Sequence, residues 1–403
     1  MRPRIQRSLN LAKRLQRRLY LADYHDAELR QLWSEPEASA PYREQVFSVA
    51  PDPSGIRSLL VFKPDEIGDA VYGLPAAAEL RRVFPQARMF LLCQRLTEPL
   101  YARTGIFDEI VAVAPQTRLS RPHFPLQEAL GKFSQQTFDM SVYLRTYSAS
   151  FRQFRQIPAG IRVHPVDPMM RSDSVHRASV SLWTEQRRHQ SLQLLQIVER
   201  VSGRAYGWED VRFPAFRWTA EDEGATNVVF GARDPGPYIA VHPFAKHETR
   251  QYPLELWSEL ITRLREQSPA RWVIIGGPGD PQLQGVPDVI QTQGELTLAQ
   301  SGYLISRAAA FLGVLSGPAH WSAALGTPTV TIMSGHSLPV EWGPLGDSLI
   351  VRADVPCAPC HQPTCPVYGL ACLRELVPQR IGPDIERFLA RALEAPSAAG
   401  SPR

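Results

Sequence analysis

The 403 residues are 44% hydrophobic and 21% charged, the composition of an ordinary globular protein, and the length predicts two domains of roughly 100–200 residues each. No apolar run approaches the ~20 residues of a membrane span, no apolar segment near the N-terminus reads as a secretory signal, and five cysteines with four in one short cluster do not make a secreted disulfide framework, so the expected compartment is the cytoplasm. The net charge of +4 conceals +7 in residues 1–18, leaving −3 for the rest, and a body so near neutrality excludes a general nucleic-acid footprint.

Residues 1–35 read as a basic amphipathic helix. Ile5, Leu9, Ala12, Leu15 and Leu19 recur at three-to-four spacing, with arginines and Lys13 between them. Such a helix lies on an anionic membrane face or packs its stripe on the protein body. Residues 36–56, with four prolines, read as a linker.

An apolar strand over 58–63 runs into a Gly-bearing turn, and a helix follows with Asp69 in its opening turn. A carboxylate there complements the helix dipole. It also projects from the carboxyl end of a parallel strand, where α/β sheets place their ligands. Strands are expected over 88–93, 109–113, 138–144 and 157–163, with a helix over 190–201. Strands alternating with helices mean a doubly wound parallel sheet. Cys93 falls in a strand pattern and reads as a small buried hydrophobe.

The stretch 203–236 is poor in pattern and rich in Gly and Pro, which puts a domain boundary there. A second α/β unit opens with a strand over 237–243. A polar loop to Tyr252 leads into a helix over 253–267, and a strand over 272–275 ends in Gly276-Gly277-Pro278-Gly279-Asp280. That turn suits close backbone approach by a ligand but is not a dinucleotide fingerprint. A helix over 297–309 precedes an apolar strand ending at Leu312. Next comes Leu315-Ser316-Gly317-Pro318-Ala319-His320, in which Ser316 is expected to cap a helix, Pro318 sits in its first turn, and Gly326 closes it. Free N–H groups and the positive dipole end make this a candidate phosphate site, with His320 as an added donor. The same residues also suit a plain, well-capped crossover. A further strand is expected over 329–333.

Cys357, Cys360, Cys365 and Cys372 follow with C-x2-C-x4-C-x6-C spacing. Four thiolates this close match a structural tetrathiolate metal site, zinc by default and iron as the alternative. The tail from 395 is small and polar.

Three stretches together resemble the heptosyltransferase family of glycosyltransferases, glycosyltransferase family 9. They are Leu60-Val61-Phe62-Lys63 through Ile67-Gly68-Asp69 and Leu74-Pro75-Ala76; His242-Pro243 with Arg250-Gln251-Tyr252-Pro253; and Gly313 to Pro328 with Trp342-Gly343-Pro344-Leu345-Gly346. The resemblance covers roughly residues 57–380. It implies a GT-B fold, two Rossmann-like doubly wound domains with an interdomain cleft, preceded here by the helical extension. The implied division is 1–56 extension and linker, 57–218 acceptor domain, 219–394 donor domain with the four-cysteine segment at 357–372, and 395–403 tail. The implied reaction is inverting transfer of heptose from ADP-heptose, or a related sugar from a similar nucleotide-diphosphate donor, to a lipopolysaccharide core or other cell-surface glycan. Some relatives modify proteins instead, and some of these bind iron at a four-cysteine segment.

Carried over by position, Asp69 is the catalytic carboxylate. The donor-binding set is Gly68, Lys246, Arg250, Gly279, Asp280, Ser316, Gly317, Pro318 and His320. No catalytic metal is expected. Leu315 departs from the pattern, since the family places Asp before the Ser/Thr-Gly pair. That departure keeps open a non-catalytic nucleotide-sugar-binding or assembly protein. A GT-B sugar-nucleotide epimerase, which needs no acceptor, is the other competing class.

Overall fold

The computed structural model describes residues 52–114, 116–118, 121–123, 126–133, 136–145, 154, 156–166, 178–181, 189–231, 234–365 and 369–394. The expected basic helix, most of the linker and the C-terminal tail lie outside these residues. The chain divides into two compact units. The first holds the described residues up to Pro64, then 73–95 and 106–212, and the second holds 65–72, 96–105 and 213–403. The main division thus falls inside the patternless stretch 203–236. Two short early pieces group with the second unit, which no local pattern announces.

The first unit is built on six parallel strands: β1 (Ser58–Lys63), β2 (Arg88–Gln94), β3 (Glu109–Val113), β6 (Phe138–Tyr143), β7 (Ala159–Val166) and β8 (Ala178–Ser181), in the order β3-β2-β1-β6-β7-β8. A separate antiparallel hairpin joins β4 (Gln116–Arg118) to β5 (Arg121–His123). Leu59, Leu60, Val61 and Phe62 are all fully buried, the continuous apolar run of a strand covered on both faces. Leu60, Phe62, Phe90 and Leu92 meet the rings of Phe133, Phe138 and Phe154 on one face. Helix α1 (Ile67–Val83) follows β1, and helix α2 (Gln190–Ser202) ends at Gly203 in the left-handed region.

The second unit repeats the plan with β9 (Tyr238–His242), β10 (Arg271–Ile274), β11 (Ile290–Gln291), β12 (Ala310–Val314), β13 (Thr329–Ile332) and β14 (Ser348–Val351). The order is β11-β10-β9-β12-β13-β14, all parallel. With the hairpin set aside, both sheets have the doubly wound 3-2-1-4-5-6 order. Alternation along β9 sorts its two faces. Ile239 and Val241 pack with Trp257, Leu260 and Leu264 of α3 (Leu254–Glu266) and with Ile385 and Leu389 of α6 (Pro378–Glu394). Tyr238 and Ala240 pack with Leu304 and Ile305 of α4 (Leu298–Arg307). Helix α5 (Gly317–Ala324) follows β12.

The sequence reading leaves α6 unassigned, and Gly382 and Pro383 stand inside it. Here the glycine serves contact between helices, since a Cβ on Gly382 would lie 2.5 Å from Nε of Arg263 on α3. Two short helices, Ala220–Glu223 and Ala225–Phe230, occupy the stretch read as patternless. No helix among the described residues is long and apolar enough to cross a membrane.

Ile385 is fully buried between α6 and the sheet. Ile385→Ala is expected to destabilise the second unit by ~2–5 kcal/mol, read as a lower urea midpoint. A change under ~0.5 kcal/mol would make α6 a surface appendage.

Candidate active site

A cavity of about 490 Å³ lies at the carboxyl ends of β9 and β12, the pair of strands at which the strand order of the second sheet reverses. Open α/β sheets bind ligands at that switch point. Every residue of the expected donor-binding set except Gly279 lines it, together with Asp69 and Leu315. Gly279 is exposed. All the lining residues belong to the second unit, because 65–72 groups with it.

Two helix starts meet here glycine to glycine, flanked by the Ile67 side chain and the His320 ring. A Cβ on Gly317 would lie 2.6 Å from Ile67 Cβ and 3.2 Å from the Gly68 nitrogen, and a Cβ on Gly68 would lie 2.9 Å from the His320 ring. Only glycine allows this approach. The first turn of α1, carrying Asp69, thereby abuts the first turn of α5.

Ser316 holds the N-cap position of α5 through its backbone, whose carbonyl accepts from Ala319 N at 3.1 Å and His320 N at 3.3 Å. Its hydroxyl does not cap the helix as expected. It turns instead to Nδ1 of His242, 3.2 Å away, because β9 and β12 are adjacent and bring His242 opposite Gly313. Pro318 has no N–H and the Ala319 and His320 N–H groups serve the Ser316 carbonyl, so Gly317 carries the first-turn N–H not engaged by that carbonyl. Burial pushes His242 down to about 4, so the ring is neutral at neutral pH.

His320 is also redirected. Its ring lies over Gly68, and Nδ1 is 2.7 Å from the Tyr72 hydroxyl. Tyr72 donates to the Trp342 carbonyl at 2.7 Å. A carbonyl only accepts, so a His320 N–H pointing at the Tyr72 oxygen satisfies both contacts. Burial first, and then the Asp69 charge, push the Tyr72 hydroxyl well above its usual range, which keeps it protonated. Tyr72 and Trp342 are cavity residues that the sequence reading missed. The available signal was helical spacing, since Tyr72 stands one turn after Asp69.

Arg250 ends the short helical turn Glu248–Arg250. It lines the cavity, and its buried Nε has no hydrogen-bond partner. Burial pushes its guanidinium down from the usual value, while Glu66 and then Asp69 oppose that effect. Gln251 staples the loop that carries it. Its amide donates to the Pro243 and Tyr252 carbonyls at 2.8 Å each, and its oxygen accepts from Ala245 N at 2.8 Å. Lys246 forms an ion pair with Glu66 at the rim. Asp280 folds back on its own turn, accepting from Gly277 N at 2.7 Å. Leu315 is 5% exposed and gives the cavity an apolar patch beside the α5 start.

The four thiols of 357–372 are partly buried. Burial raises Cys357 and Cys372, and neighbouring cysteines of the cluster raise them further. Yet among the described residues no group of three or more His, Cys, Asp or Glu is arranged to hold a metal ion. The sulfurs stand near one another without forming a coordination shell, and Cys365 Sγ instead accepts from Leu370 N at 3.3 Å.

The model of glycosyltransferase family 9 (heptosyltransferase) matches residues 167–370. Lipopolysaccharide heptosyltransferase 1 of Pseudomonas aeruginosa is 27% identical over 188 residues, 42% of this chain and 53% of that protein. The match thus spans about half the length of the curated relative. The E. coli ADP-heptose lipopolysaccharide heptosyltransferase II structure superposes with a TM-score of 0.65 at 18% identity, covering 83% of this chain and 99% of that one. TibC of enterotoxigenic E. coli, an iron-containing dodecameric glycosyltransferase, gives a TM-score of 0.53 at 15% identity, covering 86% of this chain and 78% of that one. Likeness at these identities shows the fold, the Rossmann-like units of the GT-B class.

The His242 value sets a pH dependence. Its folded pKa of about 4 lies below the unfolded ~6.5, so acid protonates the unfolded chain first. Stability from this group is complete above pH ~6.5 and is lost as the pH falls toward 4, at up to ~1.4 kcal/mol per pH unit. His242→Asn is expected to flatten the fall of Tm between pH 6.5 and 4. An unchanged slope would mean that His242 already titrates normally.

Proposed function

The chain belongs to glycosyltransferase family 9, the heptosyltransferases, and from that premise we propose that it transfers a heptose, or a related sugar, from ADP-heptose or a similar nucleotide-diphosphate donor to a lipopolysaccharide core or other cell-surface glycan, with inversion. The observation that carries this reading is the convergence of Asp69, the partnerless Nε of Arg250 and the uncapped start of α5 on one cavity. The names of the Pseudomonas and E. coli relatives support the donor and the acceptor class.

Each part has a chemical task. The acceptor hydroxyl attacks the anomeric carbon from the face opposite the diphosphate, the bond to the diphosphate breaks, and Asp69 takes the hydroxyl proton as general base. The departing diphosphate gathers negative charge. Arg250 and the start of α5, which both line the cavity, would stabilise that charge from fixed positions as the bond breaks. Lys246 reaches the same anion on leaving Glu66. The buried Tyr72–His320 pair keeps the floor of the site rigid and dry.

Leu315 favours a second reading, a nucleotide-sugar binder without transferase activity, because an apolar side chain replaces the acid expected beside the sugar. Asp69→Asn and Arg250→Ala separate the two readings. The first is expected to keep ADP-heptose binding and lose ~10²–10⁴-fold in transfer rate. The second is expected to weaken ADP binding by roughly 10–100-fold, as the loss of charge-assisted bonds to phosphate implies. Calorimetry reads binding, and acceptor-dependent ADP release reads transfer, with a lipopolysaccharide core and a protein acceptor in parallel arms. Tight donor binding with no ADP release in either arm would favour the binder.

The four cysteines belong to the same proposal as a structural site for one zinc or iron ion. Spacing and donor chemistry support it, as does the iron named for TibC. The segment carries Pro359, Pro363 and Pro366 and few large apolar residues, so metal binding would supply order that burial does not. Elemental analysis of protein purified without added metal is expected to find one ion per chain, and Cys360→Ser to lower it. Four freely titratable thiols with no metal would overturn the assignment.

A further inference from the structure

Thr249 is 3% exposed and does not line the cavity. It precedes Arg250 in the turn Glu248–Arg250. Its hydroxyl donates to the Gln362 carbonyl, and its backbone N–H donates to the Pro363 carbonyl at 3.3 Å. These bonds join residues 113 and 114 positions apart, tying the arginine-bearing turn to the four-cysteine segment.

The segment is itself held from another side. Cys360 N donates to the Gly335 carbonyl at 3.0 Å, and His361 N donates to the His336 carbonyl at 3.1 Å. His361 sits at a φ of 52°, a conformation costly for a non-glycine residue that persists only where neighbouring bonds over-determine it. The His336 ring stands between His361 and His247, with centroids 5.8 Å and 6.4 Å away. Residues 360–363 thus bridge the 335–336 loop and the 247–250 turn.

Arg250 needs such a bridge. A guanidinium whose Nε has no protein partner is not held by its own bonds, so its aim depends on the backbone that carries it. Gln251 fixes the C-terminal side of that backbone and Thr249 the N-terminal side. We propose that Thr249 is a positioning residue for the donor diphosphate, transmitting the order of the four-cysteine segment to Arg250 so that the segment sets donor affinity without touching the donor. This rests on the reading of Arg250 as a diphosphate ligand.

The test is a double-mutant cycle with ADP as the probe, read by calorimetry on the full chain, with Tm recorded for each variant. Thr249→Val keeps the shape and removes the hydroxyl. It is expected to weaken ADP binding by about 5–10-fold, the loss expected for one buried hydrogen bond. Thr249→Ser is expected to restore binding to within about 2-fold. In an Arg250→Ala background, Thr249→Val is expected to change ADP affinity by less than 2-fold, because the group it positions is gone. A purely structural Thr249 would lower Tm while leaving ADP affinity unchanged, and that result overturns the proposal. Equal losses in both backgrounds also overturn it, since the effect would not pass through Arg250. If the valine variant does not fold, Thr249→Ala reads the same cycle without a steric clash. Arg250→Ala binding ADP as the parent does would instead remove the underlying reading of Arg250.

Discussion

The site depends on the contact of two helix starts at Gly68 and Gly317. Each start presents the positive end of a dipole worth roughly half an elementary charge, and the two glycines face each other between the Ile67 side chain and the His320 ring. Two like ends in contact repel one another. Asp69 in the first turn of α1 offsets part of that repulsion. Arg250 adds a full positive charge to the same cavity with no ion pair of its own among the described residues. Glu66, Asp69 and Asp280 also line the cavity, so its positive charge is local to Arg250 and the α5 start, and a diphosphate bound there would offset it. Ser316 contributes by turning away. Its hydroxyl bonds His242, and burial keeps that ring neutral, so it adds no further positive charge.

The loop from Pro243 to Tyr252 shows how an unpaired arginine is kept in place. Gln251 spends both amide hydrogens and its oxygen on the loop's own backbone. Tyr252 is fully buried, and its hydroxyl donates to the Leu376 carbonyl. Thr249 is tied to the 362–363 carbonyls. The polar side chains flanking Arg250, those of Thr249, Gln251 and Tyr252, are thus satisfied by protein atoms, and the arginine Nε is left over. Other buried polar atoms among the described residues also lack partners, Trp257 Nε1 for one, but Arg250 is the one of them that lines the cavity.

Much of this was legible locally. The apolar runs of β1, β9 and β12 are continuous enough to read as buried parallel strands, and the glycines after β1 and β12 mark the helix starts. The partners of those residues were not legible. Tyr72 meets Trp342 across 270 positions, Lys246 meets Glu66 across 180, and Thr249 meets Gln362 across 113. Such pairings follow from strand order, and a single sequence carries no periodic trace of them. Gly382 and Pro383 break the pattern of α6, yet its stripe of Ile381, Ile385, Leu389 and Ala392 is buried and tertiary packing outweighs the local cost. Strand β11 has only two residues, Ile290–Gln291, too short for any alternation to show.

Leu315 shows where electrostatics and specificity part company. An aspartate there would add negative charge beside the α5 start, accepting hydrogen bonds from sugar hydroxyls while repelling the diphosphate. The leucine removes both effects. What remains is a cavity strong in groups that hold a diphosphate and weaker in groups that recognise a sugar. Phosphate contacts made equally in ground and transition states tighten binding without speeding the chemical step. Discrimination among sugars must then fall to shape, to the apolar Leu315 surface and to Asp280, whose carboxylate is already bonded to Gly277 N at 2.7 Å. That bond uses Oδ2, so Oδ1 can accept from a ligand hydroxyl while the turn 276–280 keeps its shape. In the diphosphate half the Arg250 Nε has no protein partner to give up, whereas Lys246 has to leave Glu66 before it can reach an anion, so recruiting Arg250 costs less than recruiting Lys246.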